Sequence, residues 1–122
     1  MRKASLLLVA SLFAFASARV AHADSVIPPR PESPTPADIA KAKNLFNSAG
    51  RLFERDDYAG AIQTFERAYQ LSGRASVLFS LGQAYKKRFG ETQDPRHKAA
   101  ALECYEAYLA EVPKGGRSAD AE

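Results

Sequence analysis

The chain has 122 residues, which is enough for one small domain and too few for several. Its formal net charge of +3 is unevenly distributed, because Arg2, Lys3 and Arg19 precede residue 24 and no acidic residue does. The remaining basic residues balance the 14 acidic ones, so the rest of the chain offers no electrostatic attraction for nucleic acid or an anionic membrane. We therefore expect no nucleic-acid partner.

The first 23 residues have the three parts of a secretory signal peptide. A basic start at Met1–Lys3 is followed by an apolar run over residues 4–18, and Ala21-His22-Ala23 forms an A-x-A cleavage motif. We expect cleavage after Ala23, export, and no stable membrane span afterwards. The alternative is an uncleaved membrane anchor, although the apolar run is shorter than the ~20 residues that a span requires.

Five of the seven prolines lie within residues 24–36. Each proline fixes φ and lacks an N–H donor, so we predict an extended polyproline segment that stays outside the core. We interpret this segment as a semi-rigid linker that holds the helical domain away from whatever precedes it. An alternative is that it serves as a proline-rich ligand for another domain.

The first predicted helix opens a helical domain over residues 37–113 and runs to about Arg55. Thr35 can cap this helix, Pro36 suits its first position, and Asp38 places an acidic group in its first turn. Apolar and small residues form two neighbouring rows along it. The resulting face is wider than a single buried stripe requires.

Three further helices are predicted at about residues 58–71, 75–89 and 96–112. Gly73 and Gly90 mark the ends of the first two of these, and Pro113 closes the last. The polar segment Glu91–Arg96 is predicted to be a loop. Residues 114–122 form a glycine-rich break and then either a frayed tail or the start of an incomplete helix.

One spacing of small and large residues occurs twice in the predicted helices. It appears in the second helix and again in the fourth, as Ala61, Phe65, Ala68 and as Ala101, Tyr105, Tyr108. Small residues on such a stripe let a neighbouring helix approach closely. The repetition indicates two copies of one helical unit.

With these residues the chain resembles a tetratricopeptide repeat protein, whose unit is a helix-turn-helix of 34 residues. The residues at the family's large and small positions are Leu45, Ala49, Leu52, Tyr58, Ala61, Phe65 and Ala68, and then Leu78, Leu81, Gly82, Tyr85, Ala101, Tyr105 and Pro113. The resemblance covers about residues 42–113. It implies an all-α fold in which antiparallel helix pairs stack as a short solenoid of two units and about four helices.

The chain also departs from the family's pattern. Gly73 replaces the usual closing proline of the first unit, one residue is missing between the units, and roughly seven extra residues around Glu91–Lys98 separate the helices of the second. Tyr108 stands where the family has a small alanine. We therefore expect the packing around Tyr108 to be looser or rearranged.

In this family the inner helix of each unit lines a concave groove. The resemblance places in that groove Lys43, Phe46, Asn47 and Phe53 from the first helix and Phe79, Gln83 and Lys86 from the third. Three phenylalanines at the centre suit an apolar peptide segment or helix. The clamp with which some members of the family bind a C-terminal carboxylate is not expected here, because it requires lysine at the positions of Phe46 and Phe79. In an alternative interpretation these phenylalanines pack against the proline-rich segment or a second protomer.

No catalytic or cofactor motif is present. We find no nucleophile elbow, phosphate loop or paired metal-ligand helix, so we expect neither an enzyme nor a cofactor. His97 with Asp94 and Glu91 falls short of the ligand count of a metal site. Cys104, the single cysteine, is interpreted as a small apolar side chain, the alternative being a link between two copies.

The residues and the resemblance together predict a non-enzymatic interaction module or scaffold. We expect it to be exported to the periplasm or envelope of a bacterial cell and to bind a protein or peptide partner. An alternative is a structural, self-assembling unit, that is, a homo-oligomer. That alternative follows from the fourth helix, where Leu102, Tyr105 and Leu109 have nothing in the chain to cover them fully.

Overall fold

The computed structural model describes residues 25–112. Within this range the chain forms four helices and no strand: α1 (Pro36–Glu54), α2 (Tyr58–Ser72), α3 (Ala75–Thr92) and α4 (Pro95–Glu111). The predicted all-α class is therefore confirmed for this part of the chain. The predicted signal peptide and the predicted C-terminal break with its incomplete helix lie outside the described residues.

Local side-chain signals fix the limits of α1 and α2. The Thr35 hydroxyl accepts a hydrogen bond from the Asp38 N–H at 3.1 Å, and the Asp38 carboxylate accepts one from the Thr35 N–H at 2.9 Å. Asp57 caps α2 by accepting from the Gly60 N–H at 2.9 Å. Gly73, with a φ of 59°, takes the left-handed conformation that ends α2. The predicted limits of both helices are confirmed to within a residue.

The predicted end of α3 is wrong. Gly90 lies inside the helix, and Gln93 takes the left-handed conformation at its C-terminal end, with a φ of 54°. Asp94 precedes Pro95 and is extended, because the proline ring disfavours helical conformation in the residue before it. The Asp94 carboxylate then accepts from the Arg96 N–H at 2.9 Å and caps α4. The predicted polar loop is thereby reduced to the two residues between the helices.

The four helices pack in chain order, α1 against α2, α2 against α3 and α3 against α4. Because two or three residues join consecutive helices, neighbours run antiparallel and form two helical hairpins. Small side chains with no exposed surface let the helices approach one another: Ala49, Ala61, Ala68 and Ala84. The largest fully buried side chains are Leu78, Leu81 and Cys104.

Looser packing is one of the two expectations for Tyr108, and the structure instead buries this residue beside another aromatic ring. Tyr108 is 5% exposed, and its ring centroid lies 5.3 Å from that of Phe79. The Tyr105 ring centroid lies 5.7 Å from that of Phe79. Tyr105 also rests on Gly82, where a Cβ atom would come within 2.8 Å of its ring. The large side chain at position 108 is therefore part of the core.

Cys104 is fully buried between α4 and its neighbours. Burial raises the pKa of its thiol to about 12, so the reactive thiolate is not formed near neutral pH. These observations favour the interpretation of Cys104 as a small apolar side chain.

The proline-rich segment is not separate from the helical domain. Residues 25–35, which we call the strap, contain neither helix nor strand. Val26 and Ile27 are half-buried against the core, and the strap passes over the end of α2, where a Cβ on Gly73 would lie 2.7 Å from Arg30 Cγ. The expectation of a spacer outside the core is therefore wrong for these residues.

Polar contacts hold the strap along α4. Ser25 Oγ donates to one carboxylate oxygen of Glu103, and the Val26 N–H donates to the other at 3.3 Å. Further along, Arg30 forms an ion pair with Glu111 at 3.3 Å. Two features explain why the strap lies on the domain. Apolar residues precede its prolines, and carboxylates line one flank of α4.

Two buried tyrosines and one half-buried tyrosine make the domain sensitive to alkaline pH. The Tyr85 hydroxyl donates to Glu66 Oε1 at 2.9 Å, and burial together with the Glu66 charge raises the pKa of Tyr85 well above its usual value near 10. Burial also raises the pKa values of Tyr69 and Tyr105. Below about pH 10 both the folded and the unfolded chain hold these protons, so their contribution to stability is constant.

Above about pH 10 the unfolded chain loses its tyrosine protons while the folded chain keeps them, so we expect the free energy of unfolding to fall as pH rises. Urea unfolding at pH 8, 10 and 11 measures this fall. Tyr85→Phe is the comparison variant, and its unfolding free energy should fall less steeply over the same range. Identical slopes in the two proteins would contradict the assignment to Tyr85.

Candidate partner-binding groove

A cavity of about 330 Å³ opens between α1 and the corner where α2 passes into α3. Its lining comes from α1, from the end of α2 and the turn that follows it, and from the start of α3. The lining residues are Ile39, Ala42, Lys43, Phe46, Asn47, Ser72, Arg74, Ser76 and Val77. Its volume falls within the range of ordinary ligand pockets, roughly 300–1,000 Å³.

The floor of this cavity is apolar. Ile39, Ala42 and Phe46 follow one another at spacings of three and four along α1, so they share one face of that helix. Val77 continues the floor from α3. The Phe46 ring is fixed from behind by an edge contact with Phe65, whose centroid lies 5.4 Å away at an interplanar angle of 61°. A half-exposed aromatic ring that packs against the core is thus available to a ligand.

The rim of the cavity is polar and positively charged. Lys43 and Arg74 both line it, no acidic side chain does, and neither cation forms an ion pair within residues 25–112. The Ser72 hydroxyl donates to the Ala68 carbonyl at 2.9 Å and accepts from the Arg74 N–H at 3.3 Å. These bonds hold the corner that carries Arg74.

The structure brings together part of the predicted groove. Lys43, Phe46 and Asn47 all line the cavity, as neighbours on α1. Phe53 lies further along α1, where its ring packs edge-on against Tyr58 at a centroid distance of 5.2 Å. Two predicted residues of α3 lie outside the cavity lining, namely Gln83, which is half-buried, and Lys86, which is exposed.

Phe79 does not lie at the surface of a groove. It is 3% exposed and forms part of the core, so it cannot contact a partner as predicted. Phe46 and Phe79 occupy equivalent places in the two hairpins, but their coverage differs. Phe79 lies on α3, which packs against both α2 and α4, and the rings of Tyr105 and Tyr108 lie against it. Phe46 lies on α1, whose main helix contact is α2.

Sequence reasoning missed much of the lining. The spacing of Ile39 and Ala42 relative to Phe46 could have placed both on the same face of α1. Arg74, Ser76 and Val77 carried no comparable signal, since they reach the cavity only because α2 turns into α3 beside α1. The missed residues provide much of the apolar floor and one of the two cations at the rim.

The described part of the chain contains neither a metal site nor a membrane span. No group of three His, Cys, Asp or Glu side chains within residues 25–112 is placed to hold a metal ion. His97 instead lies beside the Thr92 hydroxyl, with Nδ1 at 2.8 Å from it. None of the helices between residues 25 and 112 combines the length and apolarity needed to cross a membrane.

The residues that line the cavity are apolar, polar and basic. Its side chains offer apolar contact, hydrogen bonds and positive charge, and no carboxylate, imidazole or thiol lines it. No family model matches the chain, and comparison with curated proteins and with solved structures found no match. The function of the chain is therefore inferred from its own cavity and surfaces.

Proposed function

We propose that the chain is a non-enzymatic interaction module of the tetratricopeptide type that binds a peptide segment of a partner protein. The observation that carries this proposal is the cavity beside α1, with its apolar floor and its polar, positively charged rim. Pockets of this kind bury an anchoring side chain while a few polar groups fix the orientation of the ligand.

The packing of small residues supports the tetratricopeptide assignment. Ala49, Ala61, Ala68 and Gly82 stand at small positions of the repeat pattern, and each is buried at a helix contact. Two successive hairpins in which each helix packs on the next are the arrangement that the repeat requires. The signal-like first 23 residues support export to the periplasm or cell envelope of a bacterium.

The lining indicates the kind of side chain that binds. Phe46 and Ile39 offer one apolar contact surface on α1, and Val77 faces them from α3. A leucine, isoleucine or phenylalanine of the partner fits such a surface. Asn47 and Ser76 at the rim can hydrogen-bond the peptide backbone on either side of it.

Two tryptophan variants on α1 test this proposal. Asn47 is exposed and lines the cavity, so Asn47→Trp fills the cavity without removing a core contact. Asn44 is also exposed but does not line the cavity, so Asn44→Trp is its matched control. Peptides selected on the unmodified protein from a displayed random library should bind Asn44→Trp normally. We expect them to bind Asn47→Trp at least about tenfold more weakly, because the anchoring side chain is displaced.

Circular dichroism shows whether both variants keep the helical content of the unmodified protein. Equal binding of the selected peptides to the two variants would place the binding surface elsewhere. Failure of the library to yield any peptide would count against a peptide-binding function altogether.

A further inference from the structure

The outer face of α4 carries an exposed apolar residue at its centre. Leu102 is 52% exposed and is the one large apolar side chain within residues 25–112 that lies mainly in solvent. Tyr105 and Leu109, three and seven residues further along α4, are half-buried. The strap occupies the flank of α4 that carries Glu103 and Glu111, and it therefore leaves the Leu102 face uncovered.

The charges around Leu102 are arranged symmetrically about it. Lys98 lies one helical turn before Leu102 and Glu106 one turn after it, so the three side chains share a face. Both charged residues are exposed and neither is ion-paired within the described residues. Lys98 Nζ lies over the Phe89 ring, 6.0 Å from its centroid.

The charge pattern of α4 is complementary to that of a second copy only when the two helices run antiparallel. If two copies of α4 cross antiparallel with Leu102 against Leu102, Lys98 of each copy lies opposite Glu106 of the other, and two ion pairs form. A parallel crossing would instead place Lys98 against Lys98 and Glu106 against Glu106. Ala99 and Ala110, both exposed on α4, present no bulk that would keep the helices apart.

We propose that the chain forms a two-fold symmetric dimer through the outer face of α4, with the two α4 helices antiparallel and crossing at Leu102. A closed interface of this kind uses the same patch on both copies, which accounts for charges of opposite sign placed evenly about a central apolar residue. The proposal is independent of the α1 cavity, which lies on other helices and contributes no residue to this face.

Charge reversal tests both the dimer and its direction. The full chain is expressed, the N terminus of the purified product is read by intact mass, and sedimentation equilibrium gives the dimer dissociation constant. Lys98→Glu alone and Glu106→Lys alone each place like charges opposite one another. We expect each to raise the dissociation constant about tenfold or more.

Combining the charge reversals should restore association. The double variant Lys98→Glu, Glu106→Lys again places opposite charges across the interface, so its dissociation constant should return towards that of the unmodified protein. An equimolar mixture of the two single variants should form a mixed dimer for the same reason. Restored association in these two experiments would distinguish an antiparallel pairing of Lys98 with Glu106 from a general effect of surface charge. Any association through residues outside α4 would be unchanged in all of these variants.

Three results would overturn the proposal. The unmodified chain could remain monomeric up to the highest concentration that can be prepared. A dimer that persists undiminished in Leu102→Ser would show that another surface is used, and circular dichroism of that variant would show its fold to be intact. Single charge variants that associate as tightly as the unmodified chain would exclude the antiparallel crossing at Leu102.

Discussion

Leu81→Ala is expected to lower the free energy of unfolding by about 2–5 kcal/mol. Leu81 lies in the middle of α3 and has no exposed surface. Removing its branched methyl groups takes apolar contact from the core and leaves a cavity that the packed helices fill only in part. Small domains are stable by only about 5–15 kcal/mol, so this one change removes a large share of the total.

Urea unfolding followed by circular dichroism measures the effect of Leu81→Ala. The control is Leu102→Ala, the same chemical change at a residue that is 52% exposed. At a protein concentration low enough for the chain to be monomeric, the control should shift the free energy of unfolding by less than about 0.5 kcal/mol. Similar losses in the two variants would show that Leu81 is not in the core as described.

Gly82→Ala is expected to destabilise the domain by about 1–3 kcal/mol, although alanine is the better helix former. A Cβ at position 82 would lie 2.8 Å from Tyr105 Cε1 and 2.9 Å from Cδ1. The Tyr105 ring cannot retreat freely, because it also packs against Phe79. The absence of a side chain at Gly82 therefore sets the distance between α3 and α4.

Two other helical glycines provide the control for Gly82→Ala. A Cβ atom added to Gly50 in α1 or to Gly90 in α3 would meet no neighbouring atom within 4 Å, so alanine fits at both positions. Gly50→Ala and Gly90→Ala should each stabilise the domain by about 0.5–1 kcal/mol, through the loss of backbone freedom in the unfolded chain. The measurement is the shift of the urea midpoint. A stabilising Gly82→Ala would contradict the close approach of Tyr105.

The helices of this protein could largely be predicted from short stretches of sequence. Thr35, Pro36 and Asp38 act within one turn of one another, and their effect on the start of α1 does not depend on the rest of the fold. The same holds for Gly73, whose left-handed conformation ends α2. The prediction that α3 ends at Gly90 is wrong, because a glycine ends a helix only where the residues after it leave the helical conformation. The break comes about one turn later, where Pro95 holds the preceding residue in an extended conformation.

The candidate site could be predicted only in part. Lys43, Phe46 and Asn47 lie within about a turn of one another on α1, so a correct prediction of this helix was enough to place the three side chains close together. Phe79 was predicted as the equivalent of Phe46 and is buried instead. Phe79 lies on a helix that packs between α2 and α4 and meets the rings of Tyr105 and Tyr108, and a spacing pattern within one helix does not encode which side chains of a neighbouring helix reach it.

The sequence by itself determined where the helices begin, which faces are apolar and which residues are small enough for close contact, because these properties depend on neighbours along the chain. The tertiary structure alone decided that the strap lies on α4, that Arg74 and Lys43 line one cavity, and that Phe79 is buried. Each of these depends on distances between residues far apart in the chain, which are set by how side chains of different volumes pack together.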